Sequence, residues 1–158
     1  MPDKNRELAC SITGIIRESV TNTIATLFNI AVDANDMVHK VPSLDDFVCC
    51  GELIQDDARA KLMFLFDHDL IEQLVHRAFP GTADIDPALY ESAALEIVNI
   101  VSNNLKMYLN VHGYKLHLAI PYIPQRDRIV SDEAPFVQLA FSSKSSAVMG
   151  VDFYLRSA

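Results

Sequence analysis

A chain of 158 residues, half of them hydrophobic and 22% charged, holds enough apolar material for one continuous core and too little charge for a disordered polymer. Its formal charge of −8 speaks against nucleic-acid backbones and anionic membrane surfaces, both of which call for clustered Lys and Arg. No run approaches the ~18 apolar residues that span a bilayer, and residues 1–7 are polar where a secretory signal would be apolar. The expectation is therefore a single domain over residues 1–158, in the cytoplasm, with neither nucleic acid nor membrane as a partner.

In chain order, apolar residues first recur at helical spacing from 7 to 30: Leu8, Ile12, Ile15, Ile16, Val20, Ile24, Leu27 and Phe28, with Thr and Ser filling the other side. Residues 33–43 carry turn and breaker residues such as Asn35, Asp36 and Pro42. Two β-like runs follow, 47–54 and 60–66, around an Asp56-Asp57 turn, which is the pattern of a hairpin. Cys49 and Cys50 are adjacent in the first of these, so they should point to opposite faces. All three cysteines, Cys10 included, are expected to be small core residues, because an odd number builds no disulfide framework.

Asp67 stands where an N-cap belongs, ahead of a short helix that Pro80-Gly81 stops. Asp86 and Pro87 form a stronger start signal, with a capping side chain followed by a residue that suits the first helical position. Gly113 suits the left-handed position after that helix ends. The remainder reads as β: 114–123, 136–142 and 147–155, with Ser143-Lys144-Ser145 as the last turn. The fold class is α+β, three helices packed on a largely antiparallel β-sheet.

The helix beginning at Pro87 carries the chemistry. At about 100° per residue, Ser92, Glu96, Asn99 and Asn103 fall within roughly 60° of one another, and Lys106 and Asn110 extend the stripe. Most of the remaining circumference is apolar. A solvated helix face ordinarily holds Lys, Arg and Glu in pairs four apart; this one is mostly amide and hydroxyl. Asn is a weak helix former, and Asn99, Asn103 and Asn104 all lie in the helix interior. A purely solvated strip and a functional one both remain open on pattern alone.

Ser92, then Glu96 four residues on, Asn99 three further and Pro121 after a stretch of twenty-one resembles the signature of the CheX/CheC/FliY chemotaxis phosphatases. The usual stretch before the Pro is one residue longer, and many members have Gly-Asn where this chain has Asn103-Asn104. The order long helix, hairpin, short helix, motif helix, sheet also resembles CheX along nearly the whole chain. In the first helix Glu18, Thr21 and Asn22 do not make the motif, so one site is expected, as in CheX rather than the two-site CheC.

The resemblance implies a phosphatase that hydrolyses the aspartyl phosphate of a CheY-like response-regulator receiver, with Glu96 and Asn99 as the catalytic pair. Asn99 would hold the attacking water and Glu96 would pair with the receiver's lysine. Ser92 and Asn103 would contact the partner. It further implies a homodimer, Mg²⁺ on the receiver, and no metal or cofactor bound by this chain. A neutral amide suits the water-holding role because it donates and accepts without setting a negative charge beside a phosphoryl group. The alternatives are a docking module of the same fold without turnover, and a structural component of a flagellar switch. Asp67-His68-Asp69 has a ligand-like look, but successive helix residues do not converge on one ion.

Overall fold

The computed structural model describes residues 3–35, 43–81, 86–125, 133–143 and 146–157. Asp36, Pro42, Lys144 and Ser145 lie outside the described residues. The elements are α1 (Lys4–Phe28), β1 (Asp33–Ala34), β2 (Phe47–Gln55), β3 (Ala58–Phe66), α2 (His68–Ala78), α3 (Pro87–Val111), β4 (His117–Leu118), β5 (Val137–Ser143) and β6 (Ser146–Ser157). The fold is α+β: three helices and one six-stranded antiparallel sheet in the order β1-β5-β6-β3-β2-β4.

That order has an internal symmetry. Exchanging β1 with β4, β2 with β5 and β3 with β6 reproduces it in reverse, and each half opens with a 25-residue helix, α1 or α3. The middle of the sheet is the β3–β6 pairing, which runs without a break from Ala58↔Ser157 to Phe66↔Met149. One face of the sheet carries the main core: Cys49, Leu53, Leu62, Phe64, Phe141, Val151 and Phe153 pack beneath helix residues such as Ile16, Ile24, Ile97, Val98 and Val101. The other face has its own buried cluster of Val48, Cys50, Met63, Leu65 and Tyr154. Burial on both faces explains why 62–66 reads as an uninterrupted apolar run instead of alternating.

The helix signals in the sequence map onto real ends. Asp3 caps α1 by accepting from the Asn5 amide, and Asn29 closes it in the left-handed region at φ 55°. Asp86 accepts from the Ala88 amide at 3.0 Å with Pro87 behind it, and Gly113 leaves α3 at φ 105°. Removing the capping carboxylate with Asp86→Ala is expected to cost about 1 kcal/mol, read as a lower denaturant midpoint at unchanged slope. A midpoint that does not move would show that the cap is idle.

Three expectations need correcting. Asp67 occupies the N-cap position of α2, but its side chain makes no capping bond; its backbone amide donates to the Val148 carbonyl instead, fastening the turn to β6. The strand expected over 114–123 shrinks to β4 and an isolated bridge between Cys50 and Tyr122. Asn110 causes part of that change. Its side-chain amide donates to the Leu116 carbonyl and its oxygen accepts from the Leu116 amide, so it grips the chain after α3 as another backbone would. Cys10, expected in the core, is exposed on α1.

Candidate functional site

Helix α3 is held on three sides. Ala93, Ala94, Ile97, Val98, Val101, Leu105 and Leu109 are buried against the sheet and the other helices. Asn104 donates to the Ser19 hydroxyl of α1 at 2.8 Å. Over β2 the approach is close because residue 51 is glycine: a Cβ there would lie inside van der Waals contact of Ser102 Oγ and 3.0 Å from Val98 Cγ1. Ser102 is fully buried, and its hydroxyl has no hydrogen-bond partner among the described residues. The helix that presents the polar strip is therefore one of the most firmly seated parts of the molecule.

On its open side, Ser92, Glu96 and Asn99 are all exposed, and Asn103 is half-buried. Glu96 makes no ion pair and Asn99 no side-chain hydrogen bond with any described residue. A carboxylate and an amide stand one turn apart, exposed to solvent and engaged by no described residue. Ser92 is different: its hydroxyl donates to the Ala88 carbonyl one turn back at 3.0 Å, which leaves it only acceptor capacity for anything else. Asn103 reaches along the helix to the Met107 sulfur at 3.7 Å. Asn110, which continues the stripe in projection, is committed to the Leu116 backbone and is not available to a partner.

Other reactive groups lie elsewhere. Burial pushes the Cys49 thiol up to about 12 and the Cys50 thiol up to about 11, so both remain neutral thiols packed in the two cores. Among the described residues no group of three or more His, Cys, Asp or Glu could hold a metal ion. A hollow of about 440 Å³ opens on the far face of the sheet, beside Lys61, Tyr122 and Tyr154. There Arg156 binds the Glu133 carboxylate with two of its nitrogens and holds it below the usual carboxylate range. No residue of the α3 strip lines that hollow. Sequence reading missed the apolar surface next to the strip, where Leu27 and Phe79 are partly exposed; Leu27 continues the core periodicity of α1, so nothing in the pattern set it apart.

No protein-family model matches the chain, and no curated protein sequence matches it significantly. Solved structures do match. The chemotaxis protein CheX from Vibrio vulnificus superposes with a TM-score of 0.73 at 16% identity, over 92% of this chain and 96% of that one. The chain has the CheX fold. A chain of the CheX-CheY-BeF3-Mg+2 complex from Borrelia burgdorferi matches with a TM-score of 0.69 at 13% identity, over 92% of this chain and 97% of that one. The FliM middle domain from H. pylori shares the architecture more loosely, with a TM-score of 0.63 at 11% identity, over 98% of this chain and 92% of that one. What the CheX fold preserves across such divergent sequences is layer order and packing. Residue roles need a separate argument, and no helix among the described residues is long and apolar enough to cross a membrane.

Proposed function

We propose that this chain is a CheX-like phosphatase that hydrolyses the aspartyl phosphate of a CheY-like receiver domain. The observation that carries the reading is the pair Glu96 and Asn99, exposed and unengaged by any described residue, on a helix otherwise locked into the core of a CheX fold. The CheX-CheY complex among the similar structures supports a receiver as the partner.

Transfer of a phosphoryl group to water through a loose transition state asks the catalyst chiefly for positioning and for charge stabilisation. The receiver supplies its own Mg²⁺ and lysine. Asn99 supplies what is missing: its side-chain oxygen accepts from the attacking water while its NH₂ donates to it or to the phosphoryl oxygen, with no added negative charge. Glu96, one turn earlier, pairs with the receiver's lysine and fixes the register in which Asn99 arrives. Ser92 offers a lone pair from a hydroxyl already anchored to Ala88, and Asn103 extends the contact along the helix. The rigid seating of α3 gives the geometry its precision, because the water must be held in line within a fraction of an ångström.

The test is the decay of a phosphorylated receiver, followed by fluorescence or by loss of label, with and without this protein. Decay at least tenfold faster than the receiver's own supports hydrolysis. Decay at the receiver's own rate, together with measurable binding, would favour the docking-module reading.

The working unit in this reading is a homodimer. Among the described residues no strand pairs with the outer edge of β4, which ends the sheet, and Val111 and Ile120 are 83% and 88% exposed. Light scattering on the purified protein checks this: the mass of a dimer is expected at micromolar concentration, and a monomer mass there overturns it.

A further inference from the structure

The hollow of about 440 Å³ on the far face of the sheet has the size of a small-ligand site, which runs from about 300 to 1,000 Å³. Its floor follows from the strand register. Tyr154 of β6, Lys61 of β3 and Glu52 of β2 are direct partners in one row across three strands. In the next row toward the β2–β3 turn, Arg59 stands opposite Arg156. Arg59, Lys61 and Arg156 all line the hollow, three of only 13 Lys and Arg in a chain with 21 Asp and Glu.

Like charges directly opposite on neighbouring strands cost stability. Arg156 is relieved by the Glu133 carboxylate, which it grips with two nitrogens. Arg59 has no such relief: it makes no ion pair or hydrogen bond with a described residue. Lys61 makes no ion pair with one either, and its ammonium lies 5.8 Å from the centre of the Tyr154 ring. Glu52, the second carboxylate of the hollow, accepts from the Tyr122 hydroxyl at 3.0 Å instead of pairing with Lys61. That bond also steadies the Tyr122 ring, which is 37% exposed. A sheet position that breaks a local rule without internal compensation marks a place where a ligand can supply the missing charge.

We propose that the hollow binds a small phosphate-bearing molecule with a planar ring, its phosphate on Arg59 and Lys61 and its ring on Tyr122. A guanidinium and an ammonium two residues apart on one strand offer a fork and a point charge to the same oxygens. A tyrosine held by its hydroxyl loses little freedom when a base or similar ring stacks on it. Three cations against two carboxylates leave the hollow one positive charge, which suits a single phosphate better than a polyanion. Nucleoside monophosphates are the simplest molecules of this kind. The site does not depend on the phosphatase reading, since α3 packs on the opposite face of the sheet and no residue of its strip lines the hollow.

The experiment is calorimetric titration with adenosine monophosphate, adenosine and inorganic phosphate, for the wild-type chain, Arg59→Glu and Lys61→Met. Arg59→Glu sets a carboxylate opposite Arg156, so it should fold, with a melting temperature raised by about 2 °C. The monophosphate is expected to bind the wild-type chain at one site, with Kd raised about tenfold by Arg59→Glu and about fivefold by Lys61→Met. Adenosine and inorganic phosphate should each bind at least about tenfold more weakly than the nucleotide. Weaker binding in a more stable protein is the outcome that a pair retained for a ligand requires. No saturation of the wild-type chain at millimolar monophosphate overturns the site. Binding that neither substitution weakens puts the ligand elsewhere and overturns it equally. Inorganic phosphate binding as tightly as the nucleotide overturns the part given to Tyr122, and adenosine doing so overturns the part given to the two cations.

Discussion

Asn99→Ala should lower the acceleration of receiver dephosphorylation by about 100-fold or more, the scale at which a positioned group handling the reacting water contributes. Asn99 is exposed and bonded to no described side chain, so truncation leaves no buried partner stranded and the melting temperature should hold. Receiver affinity should change little, because the register is set one turn away at Glu96. Asn99→Asp should be as damaging despite its matching shape, since it brings a negative charge toward the phosphoryl oxygens. Glu96→Ala should show the opposite division, with a large rise in KM and a smaller fall in kcat. Steady-state decay kinetics on the three variants separate these roles. A rate that survives Asn99→Ala would mean that the water is held by another group.

Gly51→Val should be the most damaging single change to the fold near the site. Any side chain at 51 meets Ser102 Oγ and Val98 Cγ1 of α3, and a branched one cannot turn away from both. Overpacking of this kind costs about 3 kcal/mol, which for a chain of this size corresponds to a fall in melting temperature of roughly 10 °C. Because Val98 precedes Asn99 on the same helix, the strain also displaces the strip, so activity should fall in protein that is still folded. Ser102→Ala separates the contributions. Alone it should be neutral or slightly stabilising, since it removes a buried hydroxyl that has no partner among the described residues. In a Gly51→Ala background it should restore part of the loss. Equal losses for Gly51→Ala with and without Ser102→Ala would show that the closest contact is not the source of the strain.

How much of this could be read in advance depended on whether the cause was local. Asp86-Pro87 and Gly113 announce α3 because a cap, a fixed φ and a left-handed residue act within one turn. The hairpin of β2 and β3 was legible from Asp56-Asp57 for the same reason. Strand β4 was not: Tyr114 to Ile123 has the composition of a strand, but Asn110 grips Leu116 from outside the segment, and its pairing with β2 is reduced to His117–Leu118 and an isolated bridge at Tyr122. Strand β1 is two residues long, too short for any period, and exists because β5 provides the edge. At the site, spacing identified Glu96 and Asn99, since helical projection needs only sequence. It equally included Asn110, whose commitment to the backbone depends on where the chain goes after the helix. The apolar surface at Leu27 and Phe79 forms where three helices meet, and no single helix records it.

The uninterrupted pairing of β3 with β6 also bears on how the molecule comes to exist. Its partners, from Ala58↔Ser157 to Phe66↔Met149, come from equivalent places late in the two sequence halves and are far apart along the chain, so the centre of the sheet closes only after a very long loop has been drawn in. Neither half can complete a sheet alone, although each has its own long helix and hairpin. Contacts this remote in sequence place folding toward the slow, millisecond-to-second end of the range. During that interval the apolar 62–66 run of β3 is an unpaired strand edge, and the chain's excess negative charge is then what keeps one copy from zipping onto another.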